Sequence, residues 1–592
     1  MQIIYVIIAI ITITITIIKA KKYTYDAKKS ISMLLTGMAI TLTVLVFPLA
    51  EGNNPIAKLV YSIIYSAQTI IISEDVSLIT SVELQNIIDI VYVGIIYILF
   101  LAMPLLTVSF LLSILNDFST KIKLMFIQKR KIIIFSNLNE KSLTIAENQK
   151  DKNTAIIFAN YTKEEVDYNK RLNTIKALKI KEEIENIEFK HIKNKEITIY
   201  IMLENEEKKL NTTLELIEKY KNLNIKIYLI TSNEISENIL DSVDKGEIKL
   251  EIVDEIERTV CEVLQEKPIY LNTINNEISV LIVGGGKVGQ EFLKAITWCG
   301  QIIGYTLKIT LIDIKADSIK EELMLNYPEL IQNYNYEFIQ VDVNSIKLEE
   351  KLQKLNNINY IIVTLNDEEQ SLKQAMFLRR YFINKNDTRP IINIWIENNL
   401  KNEQVNKLIN EKGNSYDIHA FGSINQMYNT TPIINSKLEK MTKNVHLSYS
   451  PQDTELKEFY KKNYNIKSSR AFALHIKYKI YSILKEKYTG KEEIDKKLFE
   501  QYIKEEAIMN KLIINEHNRW MAYMRSIGFK KATIEDVQKY KTQTNHHVNF
   551  LGKLHPALVE YDQLKEVEQK IGVPLQSKDR MILCNIGKIM KE

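Results

Sequence analysis

The hydrophobic pattern changes character near residue 120. Before it, apolar residues run on almost without interruption: Ile3 to Ile18, relieved by Tyr5, Thr12, Thr14 and Thr16; Ile31 to Ala50; and Ile90 to Leu115, which contains Pro104. A helix needs about 20 apolar residues to cross ~30 Å of hydrocarbon, so these runs predict three spans within residues 1–120, the third bent at its proline. Beyond it, short β-branched runs alternate with charged amphipathic stretches. KIIIF, TAIIFA, ITIYIML, IKIYLIT and IKLEIV occur before Pro268, followed by Ile278–Val283, Lys308–Ile312, Tyr336–Gln340, Tyr360–Thr364, Ile391–Ile396 and Asp417–Phe421. Alternating strands and helices predict an α/β fold of two doubly wound parallel sheets, over 128–270 and 275–430. A helical joining region, 431–504, and a mostly helical module, 505–592, follow.

Charge orients the membrane segment. Lys19, Lys21, Lys22, Lys28 and Lys29 crowd the first connection, Glu51, Glu74, Asp75 and Glu83 the second, and Lys121, Lys123, Lys129, Arg130 and Lys131 follow the third run. Positive charge stays on the cytoplasmic side, which puts the N-terminus outside and everything after about residue 120 inside a cell membrane. No small-residue cleavage site follows Ile18, so the first run reads as a retained anchor rather than a signal peptide. Ile56 to Ile72, with Lys58, Tyr61, Tyr65 and Gln68, fits a re-entrant or interfacial helix, or a fourth span that would break the charge pattern. No TVGYG-like filter is present.

Composition adds limits. At 592 residues the chain holds three or four domains by length. Lys and Arg number 78 against 73 Asp and Glu, so no basic field argues for nucleic acid as a partner. Cys261, Cys299 and Cys584 stand far apart without CxxC spacing, as expected of a reducing compartment, and read as buried small hydrophobes.

The chemistry concentrates between Glu277 and Asp313. The strand Ile278–Val283 meets Gly284-Gly285-Gly286-Lys287-Val288-Gly289, and an amphipathic helix follows with Phe292, Leu293, Ile296 and Thr297 on one face. Gly284 permits the turn, Gly286 lets the backbone come close to a pyrophosphate at the positive helix end, and Gly289 lets helix and strand pack. Asp313, 24 residues after Gly289, ends the next strand, where an acid accepts hydrogen bonds from ribose hydroxyls. This order is a dinucleotide fingerprint, in a Rossmann-like domain. Asp342, after the third strand, suits an adenine edge, and Asn366 opens the acidic stretch to Glu369 after the fourth; solvated loops or a helix N-terminal acid cluster explain the same residues equally well. The earlier domain has Ser136–Ser142 at the equivalent turn and no glycine there, which predicts structural or dimerising work instead of pyrophosphate binding.

VLIVGGGKVGQEFLK, the DVNS after the third strand, IIVTLNDEE and HAFGSINQM resemble the TrkA-N or RCK class of nucleotide-binding regulatory domains over Glu277 to Met427. That resemblance implies NAD(H) or another adenine nucleotide held by Gly284, Gly286, Gly289 and Asp313, with Asp342 nearby, regulating a membrane pore without undergoing chemistry. Two tandem domains behind a membrane segment also look like the RCK-gated Castor and Pollux channels, in architecture only.

In the last module, LIINEHNRWMAYMRSIGF places Ile513, Ile514, His517, Trp520, Met521 and Met524 on one helical face. With the HPALVEYDQL run from His555 and then Lys578-Asp579, it resembles the ryanodine-receptor (RyR) repeat domain over Glu505 to Ile586. Trp520 on its packed face is most simply core. Glu516, His517 and Arg519 lie within one turn, as a polar cluster at a pocket edge would, and with Tyr561, Lys578 and Asp579 such a cluster grips a phosphorylated nucleotide by charge and stacking. The resemblance implies a sensor of nucleotide-derived second messengers. His546, His547 and His555 cluster in sequence, but no fourth ligand stands at zinc-like spacing.

The expected function is a homo-oligomeric ion channel or membrane effector, gated by cytoplasmic nucleotide, with a place in antiphage defence by analogy. A membrane-tethered NAD-dependent enzyme and a receptor or scaffold without a pore are the alternatives. Against the enzyme, no Ser-His-Asp spacing, HExxH or paired acid and base in a second domain is found.

Overall fold

Each sheet forms because its strands are buried on both faces and so read as continuous β-branched runs. The computed structural model describes residues 2–21, 27–70, 77–80, 82, 84–125, 130–161, 168–188, 195–385, 389–410, 416–428, 436–544 and 548–591. The chain divides into two units: Met1–Gln128 with Glu188–Lys193, and Lys129–Ile187 with Asn194–Glu592.

In the smaller unit, Gln2–Lys21 and Ile87–Met125 are the helices long and apolar enough to cross a membrane. Only 22% and 33% of their apolar windows are buried, so neither is the core helix of a soluble domain. The second expected span, Ala27–Val46, has a shorter apolar window, Ser30–Val46, one residue under the length that qualifies the others. It packs on the first helix through Gly37, where any Cβ would overlap Thr16. Pro55–Thr69 is a 15-residue helix of roughly 22 Å, too short to be a fourth span by itself. Its Ser62, Tyr65, Ser66 and Thr69 turn inward while Ile56, Leu59, Val60, Ile63 and Ile64 are exposed. Glu74, Asp75 and Glu83 of the outer connection, and Lys22 of the first, lie outside the described residues.

In the larger unit, the first sheet comprises β1 (Lys131–Phe135), β2 (Thr154–Phe158), β3 (Leu178–Lys179), β4 (Glu196–Ile201), β5 (Ile225–Ile230) and β6 (Lys249–Val253), ordered β3-β2-β1-β4-β5-β6. The second comprises β7 (Glu277–Val283), β8 (Thr306–Asp313), β9 (Tyr336–Gln340), β10 (Tyr360–Val363), β11 (Ile391–Trp395) and β12 (Ile418–Phe421), ordered β12-β11-β10-β7-β8-β9. All pairs within both are parallel. Both show the Rossmann-like order, in which the chain winds outward from the centre in one direction and then in the other. β3 is absent from the sequence expectation because two residues carry no periodicity.

One face of the second sheet buries Leu281, Val283, Ile361 and Val363 with Leu378 and Phe382 of the helix Glu368–Asn384. The other face packs on the helix Lys287–Cys299 and shares one core with Asn463–Leu484 and Glu506–Ser526. Asn463–Leu484 falls in the stretch read as a joining region, yet 15 of its 22 residues are buried. It is a central element, not a tether.

Candidate functional site

In an open sheet of this order ligands sit outside the carboxyl ends of the strands, where the winding direction reverses. Here that point lies between β7 and β10, and the glycine turn occupies it. Gly284 has φ +101° and lies so close to β10 that a Cβ would stand 2.6 Å from the Thr364 carbonyl oxygen; the Thr364 hydroxyl donates to the Gly284 carbonyl at 2.9 Å. At Gly289 a Cβ would overlap that same Gly284 carbonyl oxygen. The fold itself therefore demands both glycines.

Gly286 is different. Its φ is −66°, which any residue adopts, it is exposed, and a Cβ there would meet nothing within 4 Å. It caps the helix Lys287–Cys299 without a side-chain hydrogen bond, so the first-turn amides of the exposed Lys287 and half-buried Val288 face open space at the positive helix end. The acid is placed by the turn itself: the Gly285 N–H donates to Asp313 Oδ2 at 2.7 Å, and the Lys315 N–H to Oδ1 at 2.8 Å. Each carboxylate oxygen retains a lone pair for a hydroxyl donor. The neighbouring Ile314 is 61% exposed, an apolar surface beside Asp313 that sequence reasoning passed over. Asp342 is exposed and accepts from the Asn344 N–H at 2.9 Å, within its own turn. Asn366 is exposed at the end of β10, while Asp367 caps the helix Glu368–Asn384 through the Gln370 N–H at 2.8 Å, the helix-terminal role for that acid.

The equivalent crevice of the first sheet is filled. Asn139 and Ser142 cap the helix Glu140–Asn148 reciprocally, using its first donors internally. Phe158, Phe135, Tyr200 and Tyr228 stack in register across four strands at 4.9–5.0 Å, and Tyr428 packs into the same cluster.

The C-terminal set separates into an interior and an exterior group. Glu516 and Arg519 are 2% exposed and lie in the interior, not at a pocket edge. Glu516 pairs with Arg519 at 2.7 Å and with Lys479 of the helix Asn463–Leu484 at 2.7 Å, while Lys479 Nζ donates to His475 Nδ1 at 2.8 Å. Burial alone would raise the Glu516 carboxyl, but Arg519 and Lys479 outweigh it and hold the group below the usual range. Burial pulls Lys479 down to about 8 against the attraction of Glu516.

The exterior group is aromatic. His517 stacks on half-buried Trp520 (5.7 Å) and lies edge-on to Tyr561 (5.8 Å), and Trp520 lies edge-on to His555 (4.8 Å). His517 Nε2–H donates to the Val559 carbonyl at 2.8 Å, which leaves Nδ1 as an acceptor 3.8 Å from Asp579 Oδ2. Burial, then the Glu516 carboxylate, push Asp579 up to about 8, so it holds a proton at neutral pH and can donate. Lys578 is exposed beside it. Ile514, expected on the packed face, is 42% exposed, because that face turns toward Leu512, Ile513 and Tyr523. Cys584 corrects the cysteine expectation: it is exposed, whereas Cys261 and Cys299 are buried.

Among the described residues no group of three or more His, Cys, Asp or Glu stands at metal-holding geometry; His546 and His547 lie outside them. No protein family model matches the chain, and no curated protein matches it.

Proposed function

We propose that this protein is a nucleotide-regulated membrane protein, in which NAD(H) or another adenine nucleotide binds at the Gly284–Gly289 turn and its occupancy biases an assembly of membrane helices between closed and open states. One observation carries the reading. Of the three fingerprint glycines, Gly284 and Gly289 are required by packing, but Gly286 is not, and the bare exposed backbone it leaves over an uncapped helix end has a use only if something approaches it. The residues present fit such a ligand. The amides of Lys287 and Val288 suit a pyrophosphate, Asp313 suits ribose hydroxyls, and Ile314 offers an apolar surface to the adenine. The nucleotide here acts as a regulator and supplies no reaction.

The exposed Ile-rich surfaces of Gln2–Lys21 and Ile87–Met125 favour lipid as their surroundings. So few helices per chain enclose no pathway, so the conducting form is a homo-oligomer in the cell membrane. Trp520, Tyr561, His517 and Asp579 present stacking faces and hydrogen-bonding groups, and they form the surface on which a nucleotide-derived messenger acts as a second signal. Gating requires unequal affinity for the two states, tenfold for each ~1.4 kcal/mol.

The test is ion flux through purified full-length protein in liposomes on adding NADH, NAD or ADP-ribose. Flux that depends on nucleotide in the wild type and is lost in Gly286→Val supports the reading. Binding without flux points to a receptor, and turnover of the added cofactor to an enzyme. No binding of any adenine nucleotide refutes all three.

A further inference from the structure

A cavity of about 530 Å³ lies in the larger unit, away from the glycine turn, none of whose residues lines it. It forms where the carboxyl ends of β5 and β6 meet the helices Lys287–Cys299 and Asn463–Leu484, and Tyr523 and Phe529 of the C-terminal module close it. This volume suits a small-molecule ligand.

Its walls differ in chemistry. One is aromatic: Tyr464 lies edge-on to Phe550 at 5.1 Å, and Trp298 edge-on to Tyr523 at 6.2 Å. The other is acidic, with Glu237, Asp241, Asp254 and Glu257 among its carboxylates. Every lining cation is already engaged. Lys467 pairs with Glu237 (2.8 Å) and Glu257 (3.2 Å), Lys294 with Glu291 (2.5 Å), Arg470 with Glu257 (3.1 Å), and Lys553 with Glu234, while Lys462 sits 4.8 Å over the Phe550 ring. Asp254 makes no ion pair among the described residues; its Oδ1 caps a helix through the Ile256 and Glu257 amides. Burial, then Glu257 and Glu291, with Lys467 opposing, push its carboxyl up to about 6, which marks a surplus of negative charge.

Two polar atoms in this wall lack partners. The Tyr523 hydroxyl and Arg470 Nη2 belong to side chains 5% and 2% exposed, and neither makes a hydrogen bond. Burial, then Glu257 and Tyr464, raise the Tyr523 hydroxyl, and both of these residues line the cavity. A buried donor without an acceptor is costly, and such atoms at a ligand-sized cavity mark a place for a ligand's acceptors.

We propose that this cavity binds a nucleoside without phosphate: its base stacks on the Tyr464 and Trp298 walls, its ring acceptors meet Tyr523 and Arg470, and its hydroxyls and exocyclic amine donate to Asp254, Asp241 and Glu237. A phosphate finds no unpaired cation there and faces the acid surplus, so the site selects against nucleotides. The cavity thus differs in ligand class from the glycine turn, and its occupant wedges the first sheet, the helix Lys287–Cys299 and the C-terminal module.

Calorimetric titration of the full chain in detergent with adenosine, guanosine and uridine, each beside its 5′-monophosphate, tests this. The expected result is saturable binding of at least one nucleoside, weakened about tenfold or more by the phosphate. Tyr523→Phe removes only the unpartnered hydroxyl, so its melting temperature holds or rises while nucleoside affinity falls about threefold to tenfold. Asp254→Asn keeps the helix cap and lowers affinity similarly. Absence of binding by all three nucleosides, tighter binding of the monophosphates, or unchanged affinity in both folded variants overturns the proposal. The glycine turn contributes nothing to the lining, so failure of the nucleotide reading leaves this result interpretable.

Discussion

Substituting the fingerprint glycines one at a time separates what the fold needs from what a ligand needs. Gly286→Ala replaces a helix N-cap glycine at φ −66° with nothing within 4 Å of the new Cβ. Alanine is a poorer cap by up to about 1 kcal/mol, and the stiffer unfolded chain returns about 0.4–1 kcal/mol. The net is near zero, and the melting temperature should move by no more than about 2 °C. Gly286→Val behaves alike, with a larger side chain in the same open space. Gly289→Ala drives its methyl into the Gly284 carbonyl, and Gly284→Ala adds a positive φ to a 2.6 Å approach to Thr364. Both require backbone movement, at a cost of about 1–3 kcal/mol or more. For binding the order reverses. Gly286→Val holds a phosphate away from amides whose charge-assisted hydrogen bonds contribute about 1.5–3 kcal/mol each, so losing one or two lowers affinity by about 100-fold. Calorimetry with NADH and thermal unfolding of the same full-length samples give both axes. A folded Gly286→Val that binds as tightly as wild type, or one as destabilised as Gly289→Ala, refutes the reasoning.

Asp579, pushed up to about 8, binds a proton in the folded state across pH 4–8 that the unfolded chain has released. Its contribution is complete below pH 4 and is lost as pH rises through 8, so Asp579→Asn should remove part of the decline in melting temperature over that window; an unchanged profile contradicts the assignment. Lys479, pulled down to about 8, acts with opposite sign above pH 8, which confines the Asp579 effect to the lower window. In the smaller unit, Gly37→Leu should part the first two helices, lower the melting temperature in detergent and be partly rescued by Thr16→Ala. Cys584 should react with maleimide in the native protein, while Cys261 and Cys299 react only on unfolding.

Much of the architecture was legible because parallel strands such as Ile278–Val283 are apolar throughout, and the glycine turn announced the switch point of the second sheet. What escaped notice shares one cause: charge that is buried. Arg470, His475 and Lys479 made Asn463–Leu484 look solvated, and Glu516 and Arg519 looked like ligand contacts, because a sequence does not show that these groups neutralise one another across two helices. The cavity was invisible for a different reason. Asp254, Trp298, Tyr464 and Tyr523 come from four remote stretches that only packing unites.

The helix Lys287–Cys299 begins at the uncapped turn and, through Ala295 and Trp298, walls the aromatic cavity near its far end. Its 13 residues make a stiff rod of roughly 20 Å. Just beyond it the Gln301 carbonyl accepts from Asn515 at 2.8 Å, so the rod is pinned to the C-terminal module. A tilt imposed at one end must therefore appear at the other as a sideways shift, with no relay of side chains between, which makes this single helix the shortest mechanical link between the two pockets.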